Sequence, residues 1–181
     1  MLNILFFIAI FLTGCAPTPT EVLKVEPVKP TEVVRQKKLT NAQLAHHVNI
    51  EINNDDNLHA HTTIRIIAQG RKVIMLGQSP SLDYIDKAQE IVYQHPQVEE
   101  VINYVTIQPP IKPSQRAIDI AINTQISQLM RKNGLLADGQ SIEVENQVAY
   151  VIGKDVLASF DQIEASIQKM DDTITIIPVS L

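Results

Sequence analysis

Hydrophobic residues recur at two different spacings along this chain, and the two spacings alternate in the same order twice. Leu44, Val48 and Ile52 are four residues apart, which is the spacing of one face of an α-helix. Two β-branched runs follow at 62–68 and 73–77, separated by a Gln-Gly-Arg turn. They predict the two strands of a hairpin.

The next part of the first unit predicts a second helix and a third strand. Ser79 followed by Pro80 is typical of a helix start, with an N-cap residue before a first-turn proline. The apolar face of this helix consists of three residues: Ile85, Ala88 and Val92. Residues 98–107 alternate between apolar and polar positions and predict the third strand.

The same order of elements returns after a proline-rich segment at 109–113. The predicted elements are a helix at 114–132, strands at 141–145 and 148–153, a helix capped by Asp155, and a strand at 173–179. The core stripe predicted for the first of these helices contains Ile118, Ile122, Ile126 and Leu129. Gly77 and Gly153 occupy equivalent places before the second helix of each unit, so the chain contains an internal repeat.

This repeat predicts an α+β fold of two tandem αββαβ modules, at residues 39–108 and 114–181. In each module two helices pack on one face of a three-stranded mixed sheet. A core of this size supplies only about 3–5 kcal/mol by itself, so we expect the two modules to pack on each other. Gly77 and Gly153 are expected to be structurally required.

The first 38 residues follow neither spacing. An apolar run at residues 4–12 is too short for a membrane-spanning helix, which needs about 20 residues, and it suits a secretory signal. The run ends in Leu-Thr-Gly-Cys, which resembles a bacterial lipobox. Because Cys15 has no disulfide partner within the chain, acylation explains its position better than a structural role. We predict a signal peptide at 1–14 and covalent lipid, including palmitate, on Cys15.

Charge is unevenly distributed along the chain, which has a net charge of −5. The predicted lipid-anchored, proline-rich tether at 15–38 carries five basic and three acidic residues, whereas 39–108 and 114–181 each have a net charge of −4. A basic tether suits an anionic membrane surface, where each cation contributes about 1 kcal/mol. The acidic modules exclude nucleic acid as a partner, since phosphate attraction supplies most of that affinity.

Three features of the first module resemble the BON domain. They are the strand Val-Ile-Met-Leu-Gly ending at Gly77, a following helix that carries Ala88, and the closing strand Val-Glu-Glu-Val-Ile-Asn-Tyr-Val at 98–105. With the lipobox and the repeat, the whole chain resembles the dual-BON lipoproteins of the Gram-negative outer membrane. Gln97 departs from the pattern, which has glycine before the closing strand.

The resemblance implies a non-catalytic envelope protein that binds phospholipid and supports outer-membrane integrity. It also implies anchoring in the outer membrane, facing the periplasm, because Ala16 rather than Asp follows the cysteine. In such lipoproteins the first helix of the second module meets anionic phospholipid. The lipid-binding residues expected on that helix are Ile120, Arg116, Arg131 and Lys132. Ile120 lies opposite the predicted core stripe, and it also suits burial between the modules or simple exposure.

The sequence contains no nucleophile with a base at a recognisable spacing, so we predict that the protein is not an enzyme and has no cofactor besides its lipid. On a strand His59 and His61 would share a face, but no further ligands complete a tetrahedral set, and we predict no metal site. An alternative function is that of a scaffold lipoprotein in a multiprotein envelope assembly, such as a secretion apparatus, with envelope proteins as partners.

Overall fold

The computed structural model describes residues 38–181, so the predicted signal peptide, Cys15 and nearly all of the predicted tether lie outside the described residues. The elements are α1 (Asn41–Asn54), α2 (Asp56–His61), β1 (Thr63–Gln69), β2 (Lys72–Ser79), α3 (Leu82–Tyr93), β3 (Glu100–Ile107), α4 (Pro113–Lys132), β4 (Ser141–Glu145), β5 (Val148–Gly153), α5 (Val156–Met170) and β6 (Thr175–Ser180).

The six strands form two three-stranded sheets, with the orders β1-β2-β3 and β4-β5-β6. In each sheet the central strand pairs antiparallel with its hairpin partner and parallel with the last strand. The hairpins close at equivalent pairs, Gln69 with Lys72 and Glu145 with Val148. The predicted fold class is therefore confirmed: two modules, each with helices packed on a mixed sheet.

One face of each sheet packs against its own helices. In the first module Val73 and Met75 of β2 share a cluster with Val48 of α1 and Val92 of α3. In the second module the corresponding cluster joins alternate residues of β4 and β5 to α4 and α5. Alternation along each strand places the intervening residues on the opposite face of the sheet.

Those opposite faces pack on each other. Ile74 and Leu76 of β2 form one buried cluster with Tyr150 and Ile152 of β5, so both central strands are buried on both faces. The rings of Tyr104 and Tyr150 lie 5.2 Å apart across this contact. Burial raises the pKa of the Tyr150 hydroxyl, and the charge of Glu145 acts in the same direction. The layers run helix, sheet, sheet, helix, and the expected packing of the two modules on each other is confirmed.

A polar cluster lies beside the apolar contact between the sheets. Arg65 of β1 binds Glu143 at 2.7 Å and approaches Glu145 at 3.7 Å. Gln78, which is fully buried, donates a hydrogen bond of 3.1 Å to Glu145 and accepts one from Thr63. A buried polar or charged group is costly when its partner is missing. These paired contacts therefore favour one position of the first module on the second.

The short helix α2 departs from the prediction. Asp55 is the C-cap of α1, and its carboxylate also accepts hydrogen bonds from the amides of Asn57 and Leu58 and thereby caps a new helix. The ion pair with Lys87 holds the pKa of Asp55 below its usual value. His59 and His61 therefore lie on a helix, and the idea that they share a strand face is wrong.

The start of α3 also differs from the prediction. Ser79 is buried at the end of β2, where it pairs with Ile107, and the N-cap residue is Ser81. Pro80 is therefore not the first residue of the helix. The parallel pairing of β2 with β3 extends the strand to Ser79, so tertiary pairing outweighs the local signal for a helix start at Ser79-Pro80.

We predict that Gly77→Ala lowers the free energy of unfolding by about 2–4 kcal/mol, combining backbone strain with overpacking. Gly77 has φ +127°, and a Cβ there would lie 1.8 Å from the carbonyl oxygen of Thr63. Gly153 has φ +150°, and its Cβ would meet the side chain of Gln140 at 2.7 Å, so Gly153→Ala should cost less. Urea unfolding measures both.

Gly134→Ala is the matched control, since Gly134 also has positive φ but no atom lies within 4 Å of the added Cβ. If Gly77→Ala loses no more stability than this control, close approach of β1 to Gly77 is not a constraint on the fold.

Candidate functional site

The buried stripe of the helix α4 differs from the predicted one at its N-terminal end. Its buried residues are Asp119, Ile126 and Met130, with Ile122 and Leu129 partly buried. Ile118 was predicted to be in the core, but it is 50% exposed, whereas Asp119 is only 2% exposed. The prediction is therefore wrong for Ile118 and confirmed for Ile122, Ile126 and Leu129.

Asp119 is buried because it holds the turn between β4 and β5. Its carboxylate accepts hydrogen bonds from the backbone amides of Asn146 at 2.8 Å and Gln147 at 3.1 Å. Gln115, one turn earlier on α4, donates a third bond of 3.0 Å. Both turn residues have positive φ, which suits a two-residue hairpin turn. The carboxylate thus fixes the rotation of α4, and Ile118 faces outward as a consequence.

The outward face of α4 is divided along its length. After its first turn, which exposes Ser114, its first half exposes the apolar side chains of Ala117, Ile118, Ile120 and Ala121. Its second half exposes polar and basic side chains, namely Thr124, Gln125, Gln128, Arg131 and Lys132. Such a face combines the two properties of an interfacial membrane contact, apolar area and positive charge.

The electrostatics of the two modules differ. All four basic residues of the first module form ion pairs with carboxylates: Arg65, Arg71, Lys72 and Lys87. Within the described part of the chain, no ion pair is formed by Arg116, Arg131, Lys132, Lys154 or Lys169 of the second module. Asp119 is the only acidic residue of α4, and it is buried. The surface of α4 therefore carries positive charge that no neighbouring carboxylate neutralises.

The structure brings only some of the predicted lipid-binding residues together. Ile120 is 62% exposed and is not buried between the modules. At 100° per residue, Arg116, Ile120 and Arg131 lie within about 60° of one another on α4. Arg116 is half-buried and lines a groove with Arg65 of the first module. Lys132 turns away from Ile120 by about 120° and lines a groove between α4 and α5.

Sequence reasoning missed two residues of this site. Ile118 was placed in the core because it keeps the spacing of Ile122 and Ile126. Asp119 carried only one usable signal, its i, i+4 spacing from Gln115, which permits a side-chain hydrogen bond on a helix. Neither residue could be placed without knowing that the β4–β5 turn meets α4.

Other chemistry has little support in residues 38–181. This range contains no group of three His, Cys, Asp or Glu side chains that could hold a metal ion. The histidines have other contacts: His61 stacks on Tyr84 at 5.6 Å, and His95 binds Glu51 at 2.9 Å. In the same range, no helix combines the length and the apolar character needed to cross a membrane.

We predict that Asp119→Ala lowers the free energy of unfolding by about 2–3 kcal/mol, because it removes charged hydrogen bonds and leaves two turn amides unpaired. Asp161→Ala, which removes an exposed carboxylate from α5, is the control and should change stability by less than about 0.5 kcal/mol. Equal urea midpoints for the two variants would show that Asp119 does not hold the turn.

Comparisons with known proteins found a relative that matches most of this chain. A protein described as 21 kDa hemolysin, from Actinobacillus pleuropneumoniae, is 26% identical over 129 residues, which are 71% of this chain and 66% of that protein. This chain thus spans slightly less than two thirds of that relative.

Two solved structures of CdsD, a structural protein of the type III secretion system of Chlamydia trachomatis, were also found. The first, of the C-terminal domain, has a TM-score of 0.31 and 11% identity, with 79% of this chain and 68% of that chain covered. The second has a TM-score of 0.31 and 12% identity, covering 79% and 64%. The family model of the BON domain matches residues 40–109. This match covers the first module and agrees with the resemblance seen in its strands.

Proposed function

We propose that this protein is a non-catalytic, lipid-anchored protein of the cell envelope that binds anionic phospholipid through the outward face of α4 and supports outer-membrane integrity. The observation that carries the proposal is the divided face of α4, with Ile118 and Ile120 exposed in its first half and unpaired Arg131 and Lys132 in its second. The match of the first module to the BON-domain model supports a role in the envelope.

Binding by α4 is expected to be weak in solution. Each unpaired cation contributes about 1 kcal/mol near an anionic surface, and the net charge of −4 on the second module opposes that attraction. Two isoleucines add apolar contact when they enter the boundary between headgroups and acyl chains. A lipid anchor overcomes the weakness by raising the local concentration of α4 at the membrane.

The anchor in this proposal is covalent lipid on Cys15, after removal of a signal peptide at 1–14. The basic tether at 15–38 then joins the anchor to the folded modules on the periplasmic side of the outer membrane. This part of the proposal is supported by the Leu-Thr-Gly-Cys sequence alone.

We predict that residues 38–181 float with phosphatidylglycerol vesicles at low salt and that salt strongly reduces flotation. Ile120→Asp and the double variant Arg131→Glu/Lys132→Glu should each abolish it, because one removes apolar contact and the other reverses the charge. Ile50→Asp is the matched control for Ile120, since Ile50 is 44% exposed on α1. Lys154→Glu is the control for charge, since Lys154 is also exposed and unpaired.

Equal flotation of the α4 variants and their controls would remove α4 from the proposal. If the fragment does not float with anionic vesicles at all, and mild detergent extracts the full protein in a large complex, the scaffold function would replace the phospholipid one.

We further predict that Cys15→Ala releases the protein from washed membranes and abolishes palmitate incorporation, because acyl chains contribute about 0.8 kcal/mol for each buried CH₂ group. Radiolabelled palmitate and fractionation measure the two effects, with the wild type as reference. Full membrane retention of Cys15→Ala, together with no palmitate label on the wild type, would contradict the anchor.

A further inference from the structure

A groove of about 650 Å³ lies between the C-terminal halves of α4 and α5, on the outer side of the second module. Its lining includes Lys132, Gln125 and Gln128 from α4, together with Lys169 and Met170 from α5. No carboxylate lines it, although the second module contains nine acidic residues. The lining of the groove is therefore basic, although the module as a whole is acidic.

Most polar groups of this groove lack protein partners; the exception is Ser166, whose hydroxyl donates to the carbonyl oxygen of Gln162 at 2.7 Å. Neither Lys132 nor Lys169 forms an ion pair within residues 38–181. The side-chain amides of Gln125, Gln128 and Asn133 likewise make no hydrogen bond to the described part of the protein. The lining therefore offers two ammonium groups and three amides as donors, with a net charge of +2 and no carboxylate in the lining itself.

Two other grooves of the described chain differ in this respect. One contains Arg71 and Lys72, but Glu99 also lines it and binds Arg71 at 2.7 Å. The other contains Arg116 and Arg65, but Arg65 is committed to Glu143 and Glu145. Of these three grooves, only the one between α4 and α5 combines two unpaired lysines with no carboxylate in its lining.

The positions of the two lysines on their helices have an ordinary structural role as well. Lys132 and Lys169 lie in the last turns of α4 and α5, where cations interact favourably with the helix dipoles. This interaction with the dipoles does not require both lysine side chains to line the same groove.

The groove also has an apolar wall, which consists of partly buried Leu129 and exposed Met170. Lys132 is also in line with Gln125 and Ile118, because seven-residue steps stay on one side of a helix.

We propose that this groove binds a phosphate group, held by the ammonium groups of Lys132 and Lys169 and by the amides of Gln125 and Gln128. The apolar wall and the line toward Ile118 suit a phosphate that carries an apolar substituent. The inference deepens the function proposed above and rests on it for a membrane phospholipid as the source of that phosphate. Free phosphate shares the same chemistry and is distinguished below.

The first experiment is a titration of the ¹⁵N-labelled full chain carrying Cys15→Ala, kept in non-ionic detergent, with inorganic phosphate. We expect saturable NMR shifts of the Gln125 and Gln128 side-chain amides that sodium chloride of equal ionic strength does not produce. Lys132→Gln and Lys169→Gln should each weaken the phosphate affinity about fivefold, the loss expected for one cation. Lys154→Gln, the matched control outside the groove, should leave it unchanged.

The second experiment distinguishes the two sources of phosphate, using flotation of the same protein with phosphatidylglycerol vesicles. If the ligand is a phospholipid, Lys169→Gln reduces flotation, and inorganic phosphate competes more strongly than chloride. If the ligand is free phosphate, Lys169→Gln weakens the titration and leaves flotation unchanged. Both results support a phosphate site.

The proposal is overturned if phosphate and chloride give the same shifts, or if Lys154→Gln weakens phosphate affinity as much as Lys169→Gln. Its failure is separable from that of the membrane function. Because Ile120 lies outside the groove, flotation that depends on Ile120 without any phosphate-specific shift would overturn the groove proposal alone. Phosphate-specific shifts without flotation would overturn the membrane function alone.

Discussion

The packing of one sheet on the other determines most of this structure. Each module has a sheet whose second face, bearing Ile74 and Leu76 in one case and Tyr150 and Ile152 in the other, would be exposed if the module were alone. Joining these faces buries apolar surface that favours association by roughly 25 cal/mol per Å². Apolar contacts have little directional preference. The polar contacts of Arg65 and Gln78 with β4 are directional and favour one orientation of the two modules. As a consequence, the helices form the two outer layers and are the surfaces available to other molecules.

The two outer layers are not equivalent, although the modules repeat. In the first module every basic side chain is neutralised by a carboxylate, whereas in the second none is within the described residues. Asp119 increases this difference, because its burial under the β4–β5 turn removes the one acidic group of α4 from the surface and turns Ile118 outward. One buried carboxylate thus produces both the apolar and the basic character of the helix face.

The same arrangement explains why the groove between α4 and α5 differs from its surroundings. Apart from Asp119, the acidic residues of the second module lie on β4, in loops and on α5 before its last turn, while Lys132 and Lys169 lie in the last turns of their helices and line the same groove. Favourable interaction with two helix dipoles accounts for lysine in each last turn. The approach of two such turns, which follows from helix packing on one sheet, creates a concentration of charge that neither helix has alone.

The sequence by itself determined the elements, their order, the mixed sheets and the repeat, because these depend on spacing along the chain and on local turn chemistry. It failed where a distant group overrode a local pattern: Ser79 joined a strand through pairing with Ile107, and Asp55 served two helices at once. The rotation of α4 was decided by tertiary structure alone, since Asp119 meets Asn146 and Gln147 from 27 and 28 residues away. Periodicity cannot show which of two neighbouring stripes is buried when a distant turn offers a buried carboxylate its hydrogen bonds.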